Sequence, residues 1–272
     1  MISLSCPLSM NTASGRLAYA YDRTHYHPPE VSGRIASAIT LPVERRFPDP
    51  HFLEIGVGTG RIGVPVLARG YRFTGLDRDP AMLEVFRYKI AGVGRKVRIV
   101  EGDAAALPFE KDSFHAVISV QVWHHLEDWR RALLEVIRVL VPGGYLFEGW
   151  EVSEGESEDC RIQKQWAAFL EELGYPLERG LQQRVLAQVE KALQKLGLKP
   201  EVRLVAEWEE ARTPRQSFEA LAERTYRFAR QVPEEVFALS IERLARWLVE
   251  TYPDLDAPQP IRWRFYLRTT EL

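Results

Sequence analysis

Residues 52–63 read Phe-Leu-Glu-Ile-Gly-Val-Gly-Thr-Gly-Arg-Ile-Gly. Apolar, strand-forming positions run into glycines at three alternate places, Gly56, Gly58 and Gly60. A second apolar run follows at Ile62, Val64, Val66 and Leu67. The pattern predicts a strand, a tight turn and then a helix. Glycine in such a turn accepts positive φ and lets a ligand lie against the main chain. The helix opening behind it presents N–H groups that have no helical partner. The stretch therefore predicts a binding site, and the charges around it narrow the ligand.

Gly58-Thr59-Gly60-Arg61-Ile62-Gly63 also fits a dinucleotide fingerprint, with Asp77 at about the 20-residue distance where a ribose-binding acid belongs. Glu54 argues the other way. A carboxylate two residues before the first glycine repels a pyrophosphate and suits a ligand carrying an ammonium and a sulfonium. Two further strands end in acids. Tyr71 to Asp77 ends in a carboxylate suited to a ribose diol, and Lys96 to Asp103 ends in another. Ser113 to Val122 reads as a fourth, apolar strand, followed by Trp123-His124-His125-Leu126-Glu127-Asp128 and an amphipathic helix from Ala132 to Leu140. Pro142-Gly143-Gly144 is expected to turn the chain into a fifth strand, Tyr145 to Trp150.

This ordered set resembles the class I S-adenosylmethionine-dependent methyltransferases, of the type 11 group related to quinone-biosynthesis enzymes. The motifs that carry the resemblance are Glu54-Ile-Gly56-Val-Gly58-Thr-Gly60, Gly75-Leu-Asp77 with Pro80-Ala-Met82-Leu83, Gly102-Asp103-Ala104, Asp112-Ser-Phe-His-Ala-Val, His124-His125-Leu126, and Arg138-Val-Leu with Pro142-Gly143-Gly144. The resemblance covers about residues 17–150; beyond that the likeness is one of outline. The resemblance implies an α/β fold, with a doubly wound, mostly parallel seven-stranded sheet and a helical lid insertion. It also implies S-adenosylmethionine as cofactor. The glycine loop would hold the methionine moiety, Asp77 the ribose hydroxyls, and Asp103 with the Ala104 backbone the adenine edge, with Met82 packed on the ring. Arg78, Gln121 and Tyr26 complete the expected cofactor set with Glu54, Gly56, Gly58 and Gly60. The expected acceptor side is Trp123, His124, Trp150 and Tyr21, with His124 the candidate catalytic residue and no metal. The segment from Tyr21 to Glu30 looks like the N-terminal helix region of the group, with Thr24-His25 where an Arg-Pro pair is common.

Bulk properties agree. The chain has 272 residues, 46% of them hydrophobic, which is enough for a large core. A net charge of −2 argues against a nucleic-acid substrate, which calls for a basic face. Of 36 basic residues only seven are lysine, and Asn11 is the single asparagine. Scarcity of a thermolabile amide points to a thermophile, although a GC-rich genome leaves a similar bias. Cys6 and Cys160 are far apart and lack metal-ligand spacing, which reads as reduced thiols and a cytoplasmic location. Residues 1–15 do not read as a signal peptide, and no apolar stretch is long enough to span a membrane.

The expected organisation is an N-terminal helical cap (1–50), a cofactor-binding core (51–150), a lid helix and a core helix (151–200), closing strands (201–212 and 261–272) and a helical insertion (213–260). The helices at 156–180 and 213–252, with segment 15–30, are expected to cover the acceptor site. The Arg224, Arg227, Arg230 row lies at helical spacing beside Glu219 and Glu223 and reads as a solvated face.

After its fourth strand the chain lacks the Asn/Asp-Pro-Pro-aromatic motif of amino-group nucleic-acid methylases, and it lacks a Pro-Cys nucleophile. Gln121-Val-Trp123-His124 stands there instead and favours a small, partly apolar or aromatic acceptor. Other readings left open are a tRNA or protein methyltransferase, a nicotinamide-dependent oxidoreductase, and a non-catalytic S-adenosylmethionine-binding protein. A homodimer is compatible with the chain.

Overall fold

The computed structural model describes residues 18, 21, 26–92, 96–154, 157–178 and 180–272, without the Arg227 side chain. Seven strands form one sheet: β1 (His51–Ile55), β2 (Arg72–Asp77), β3 (Val97–Glu101), β4 (Phe114–Val120), β5 (Leu140–Ser153), β6 (Glu201–Arg212) and β7 (Gln259–Glu271). The helices are α1 (Pro29–Arg46), α2 (Gly63–Leu67), α3 (Pro80–Lys89), α4 (Trp129–Val139), α5 (Glu158–Glu172), α6 (Leu181–Lys195), α7 (Pro214–Ala222), α8 (Arg227–Arg230) and α9 (Glu234–Thr251).

The sheet order is β3-β2-β1-β4-β5-β7-β6. Strands β1 to β5 run parallel, with Glu54 beside Gly75, Asp77 beside Glu101, and Ser119 beside Glu148. At the other side, Gly143 N–H donates to Leu272 C=O and Glu154 N–H to Arg262 C=O, so β7 runs against β5. The order reverses beside β1, and in open α/β sheets ligands bind at the carboxyl ends of strands near such a reversal.

The chain divides into two compact units. The first holds Met1–Glu151, Gly180–Ala206 and Phe265–Leu272. On one sheet face Leu53, Val117 and Leu146 pack with Val136 of α4 and Val189 of α6. Side chains alternate along a strand, so Phe52 and Phe73 point to the opposite face, where α1 packs on α2. Asp79 starts α3 by accepting the Ala81 N–H at 2.9 Å, and Asp128 starts α4 by accepting from Arg131 at 3.0 Å.

The second unit, Val152–Arg179 with Glu207–Arg264, has its own core. Ile162 and Trp166 of α5 pack with Leu221 of α7 and Phe237 and Leu244 of α9. The Trp166 indole N–H donates to Ser240 at 2.9 Å, which satisfies the buried donor. Cys160 is a half-buried free thiol here, 3.2 Å from the Ser153 hydroxyl. Cys6 and the segment 1–17 lie outside the described residues.

Several expected boundaries move by a few residues, the start of β5 among them. Strand β5 begins at Leu140, not after the glycine pair, because Gly143 and Gly144 already pair with Leu272. The turn residues sit inside the strand, where the β4 pairing shifts register between Phe114 and Ala116.

A buried ion pair ties β5, β7 and α6 together. Arg268 (1% exposed) meets Glu148 (0%) through both fork bonds, Nε at 2.7 Å and Nη2 at 2.6 Å. Its Nη1 donates to Leu186 C=O at 3.0 Å and reaches Glu190 at 3.2 Å. Removing one partner leaves a buried charge unpaired, so Arg268→Ala is expected to lower unfolding free energy by roughly 3–5 kcal/mol. The apolar double variant Glu148→Leu with Arg268→Met is expected to recover most of that loss. Urea unfolding of both decides it; a loss below about 1 kcal/mol for the single variant contradicts the assignment.

Candidate functional site

Four loops leave the carboxyl ends of adjacent strands in the first unit: 56–62 after β1, 78–79 after β2, 102–113 after β3 and 121–128 after β4. The predicted cofactor residues of the core lie on these loops, on the strand ends that feed them or in the first turn of α3.

Glu54 is the next-to-last residue of β1 and is 2% exposed. Its Oε2 is buried with no hydrogen-bond partner among the described residues. Burial pushes the carboxyl well above the usual carboxylate range; Arg61 pulls it back and Asp77 adds to the rise. A buried carboxylate oxygen without a donor is rare in a finished fold and calls for a group from outside.

The glycine loop supplies room for one. Gly56 has φ +65°, and a Cβ there would sit 2.4 Å from the Val122 side chain, so the β4 loop packs on it directly. Gly58 has φ +54°, and a Cβ there would meet nothing within 4 Å. Gly56 is therefore glycine for internal packing, while Gly58 leaves open space above the main chain.

Asp77 fixes this loop. One carboxylate oxygen accepts the Gly58 N–H at 2.8 Å and the other the Asp79 N–H at 3.0 Å. Burial raises its pKa, and these two N–H bonds oppose the rise. Each oxygen keeps a further lone pair for a hydroxyl. Arg78 is largely exposed, 3.9 Å from Glu127. Met82 is half-buried in the first turn of α3. Asp103 is exposed and accepts the Ala105 N–H at 2.8 Å, and Ala104 beside it is buried.

Gln121 has φ +58°, uncommon for a residue with a Cβ. Its N–H donates to Gly149 C=O at 3.0 Å. This kink ends the alternation of β4 and sends Val122 under Gly56. Trp123 then enters the apolar core, a position buried among side chains and not an open wall. His124 and His125 follow in a short 3-10 turn, half-buried, with ring centroids 3.9 Å apart. Trp150, near the end of β5, stacks on Tyr266 at 6.0 Å and 16°.

The N-terminal segment reaches the same loops through residues that the motif reading passed over. His27 is buried, with Nε2 2.8 Å from Glu151 Oε1. Arg61, inside the glycine loop, reaches that oxygen at 2.6 Å and His27 Nε2 at 3.0 Å. Tyr21 is close enough to act on the Arg61 charge. The sequence signal was a lone arginine in a glycine turn, but its partners lie 34 and 90 residues away. Tyr26 is exposed. Tyr19 and residues 22–25 lie outside the described residues. Arg224 pairs with Glu234 and covers the Phe237 ring, so it is tied into the second unit and is not simply solvated.

Three carboxylates on adjacent strand ends, a main-chain cradle and a buried carboxylate oxygen without a donor suit a cationic ligand with a diol. Among the described residues no group of His, Cys, Asp and Glu could hold a metal ion.

The family model described as a methyltransferase domain matches residues 53–147. An uncharacterized methyltransferase of Mycobacterium tuberculosis is 30% identical over 252 residues, spanning 91% of this chain and 88% of that protein. The demethylmenaquinone methyltransferase of Thermus thermophilus is 36% identical over 111 residues, 40% of this chain and half of that enzyme. A phthiotriol/phenolphthiotriol dimycocerosates methyltransferase of Mycobacterium ulcerans is 34% identical over 149 residues, 53% of this chain and 50% of that enzyme. Among solved structures, the YcgJ protein of Bacillus subtilis superposes with TM-score 0.52 at 18% identity, covering 86% of this chain and 97% of that one, which is a likeness of fold.

The raised pKa of Glu54 carries a stability consequence. Its ionised form is disfavoured by the fold, so stability present below pH 4.5 is lost as pH rises through the folded pKa. Glu54→Gln has no charge to desolvate and is expected to raise the melting temperature more near neutral pH than in acid. Calorimetry at both pH values checks this; a variant melting below the parent chain near neutral pH contradicts it.

Proposed function

The chain belongs to the class I S-adenosylmethionine-dependent methyltransferases, in the type 11 group, and we propose that it methylates a small, partly apolar or aromatic acceptor of the quinol or lipid kind. The residues fit the cofactor: Glu54 Oε2 lacks a donor, and Gly58 leaves an open cradle. When bound, S-adenosylmethionine supplies an electrophilic methyl on a sulfonium, open to in-line displacement. The protein's part is alignment and exclusion of water.

We assign Glu54 to the cationic end of the cofactor and the 56–60 backbone to its methionine moiety. Asp77 takes the ribose hydroxyls while it holds Gly58 in place. Asp103 and the Ala104 backbone take the adenine edge, with Met82 against the ring. On the acceptor side, His124 and Trp150 are the residues of choice, with Gln121 kept for the cofactor. His124 takes the proton when the nucleophile is a hydroxyl or a carbon acid. Tyr21 and His27 act at this end of the sheet through Arg61 and Glu151.

The observation that carries the acceptor class is the half-buried Trp150–Tyr266 stack after the fifth strand. Aromatic faces suit a flat or apolar acceptor. The relatives named for demethylmenaquinone and for phthiotriol lipids agree with it. With methyl-labelled cofactor and a reduced demethylnaphthoquinone, label is expected in the organic phase. Label that enters tRNA or protein and never the quinol overturns the acceptor class.

A carboxylate accepting two hydroxyls makes charge-assisted bonds of roughly 1.5–3 kcal/mol each. Asp77→Ala is therefore expected to weaken cofactor binding at least about tenfold, read by calorimetry on folded protein. An unchanged dissociation constant would leave Asp77 as a loop anchor only.

A further inference from the structure

Strand β6 ends the sheet, and its first half, residues 201–206, belongs to the first unit. Among the described residues no loop, turn or cap hydrogen bond reaches the backbone of this stretch. Its outer row of N–H and C=O groups is a template for another strand. Natural edges are blunted by proline, a bulge or an inward charge. This edge has no proline between 201 and 206, with Pro200 just before it, and it exposes Val202 (48%) and Leu204 (45%). On its other face Arg203 (74% side-chain exposure) donates to Glu201 (66%) at 2.9 Å within the chain, an exposed pair that can exchange partners with the same pair of another strand.

We propose that this edge pairs antiparallel with the same edge of a second copy of the chain, with the twofold axis at Val202. The charges select that register. Centred on Val202, residue 201 of each copy lies opposite 203 of the other, so two Glu201–Arg203 contacts form and Val202 meets Val202. Centring on Glu201 or on Arg203 sets like charges opposite themselves. Centring on Leu204 brings Glu201 against Glu207, and centring on Val205 brings it against Glu209 while Arg203 meets Glu207, so only the Val202 register has attraction without repulsion. Directly opposite like charges destabilise a strand pair and opposite charges stabilise it.

Space beside the edge agrees with this occupant. An open groove of about 640 Å³ runs between the edge and α1, bordered by Gly33, Ala38 and Leu204. Arg34, Arg69 and Arg203 line it against one carboxylate, Glu30, so it is basic where the second copy's Glu201 arrives.

Sedimentation of the full chain across micromolar concentrations tests this. The parent chain is expected to dimerise with concentration. Glu201→Arg and Arg203→Glu each place like charges opposite one another and are expected to weaken the dimer at least about tenfold; the double swap restores the attraction and the dimer. Both side chains are surface groups, so the variants keep the fold. A parent chain that stays monomeric, a dimer indifferent to the single swaps, or a double swap that fails to restore it overturns the proposal.

Discussion

The Glu54 carboxylate is held out of water at the end of the central strand, with one oxygen that no described protein group supplies with a proton. That constraint organises the surroundings. Arg61 lies near enough to offset part of the charge, yet it gives its hydrogen bonds to Glu151. Asp77, one strand over, adds negative potential and spends its own oxygens on the Gly58 and Asp79 N–H groups. The fold therefore holds, beside an open cradle, a carboxyl whose ionised form burial disfavours. Such local cost is expected where binding, not folding, uses a group.

Two polar clusters keep the cradle in shape. Arg268 and Glu148 join β5 to β7 and, through Leu186 and Glu190, to α6. Arg61, Glu151 and His27 join the glycine loop, the end of β5 and the approach to α1. Both depend on full satisfaction: a buried guanidinium is tolerable only with its bonds made. The Arg61–Glu151 bond ties the loop after β1 to the carboxyl end of β5 within the first unit.

The sheet and the cofactor loops were legible because a parallel sheet concentrates its signals locally. Each strand–loop–helix step places glycine, acid and capping residue within a few positions, as in Glu54 to Gly60 and Asp77 to Pro80. The two polar clusters were not legible. Glu148 and Arg268 are 120 residues apart, and His27 and Glu151 are 124 apart, so neither pair leaves a spacing to recognise. The start of β5 was misplaced because Pro142-Gly143-Gly144 has turn chemistry, whereas pairing with Leu272 holds it in the strand. Trp123 read as an acceptor-side residue; the kink at Gln121, invisible in the residue pattern, turns it into the core.

The central claim is that the charge of Glu54 is kept for the cofactor's cation. Calorimetric titration with S-adenosylmethionine, repeated across pH in buffers of different ionisation enthalpy, counts the protons exchanged on binding. A carboxyl protonated in the free protein and ionised beside the cation releases a proton, so affinity rises with pH through its titration. Wild-type protein is expected to release protons and to bind more tightly as pH rises from acid toward neutral, and Glu54→Gln is expected to lose that dependence. A wild-type affinity flat across this range, with the same proton count as the variant, would contradict the account.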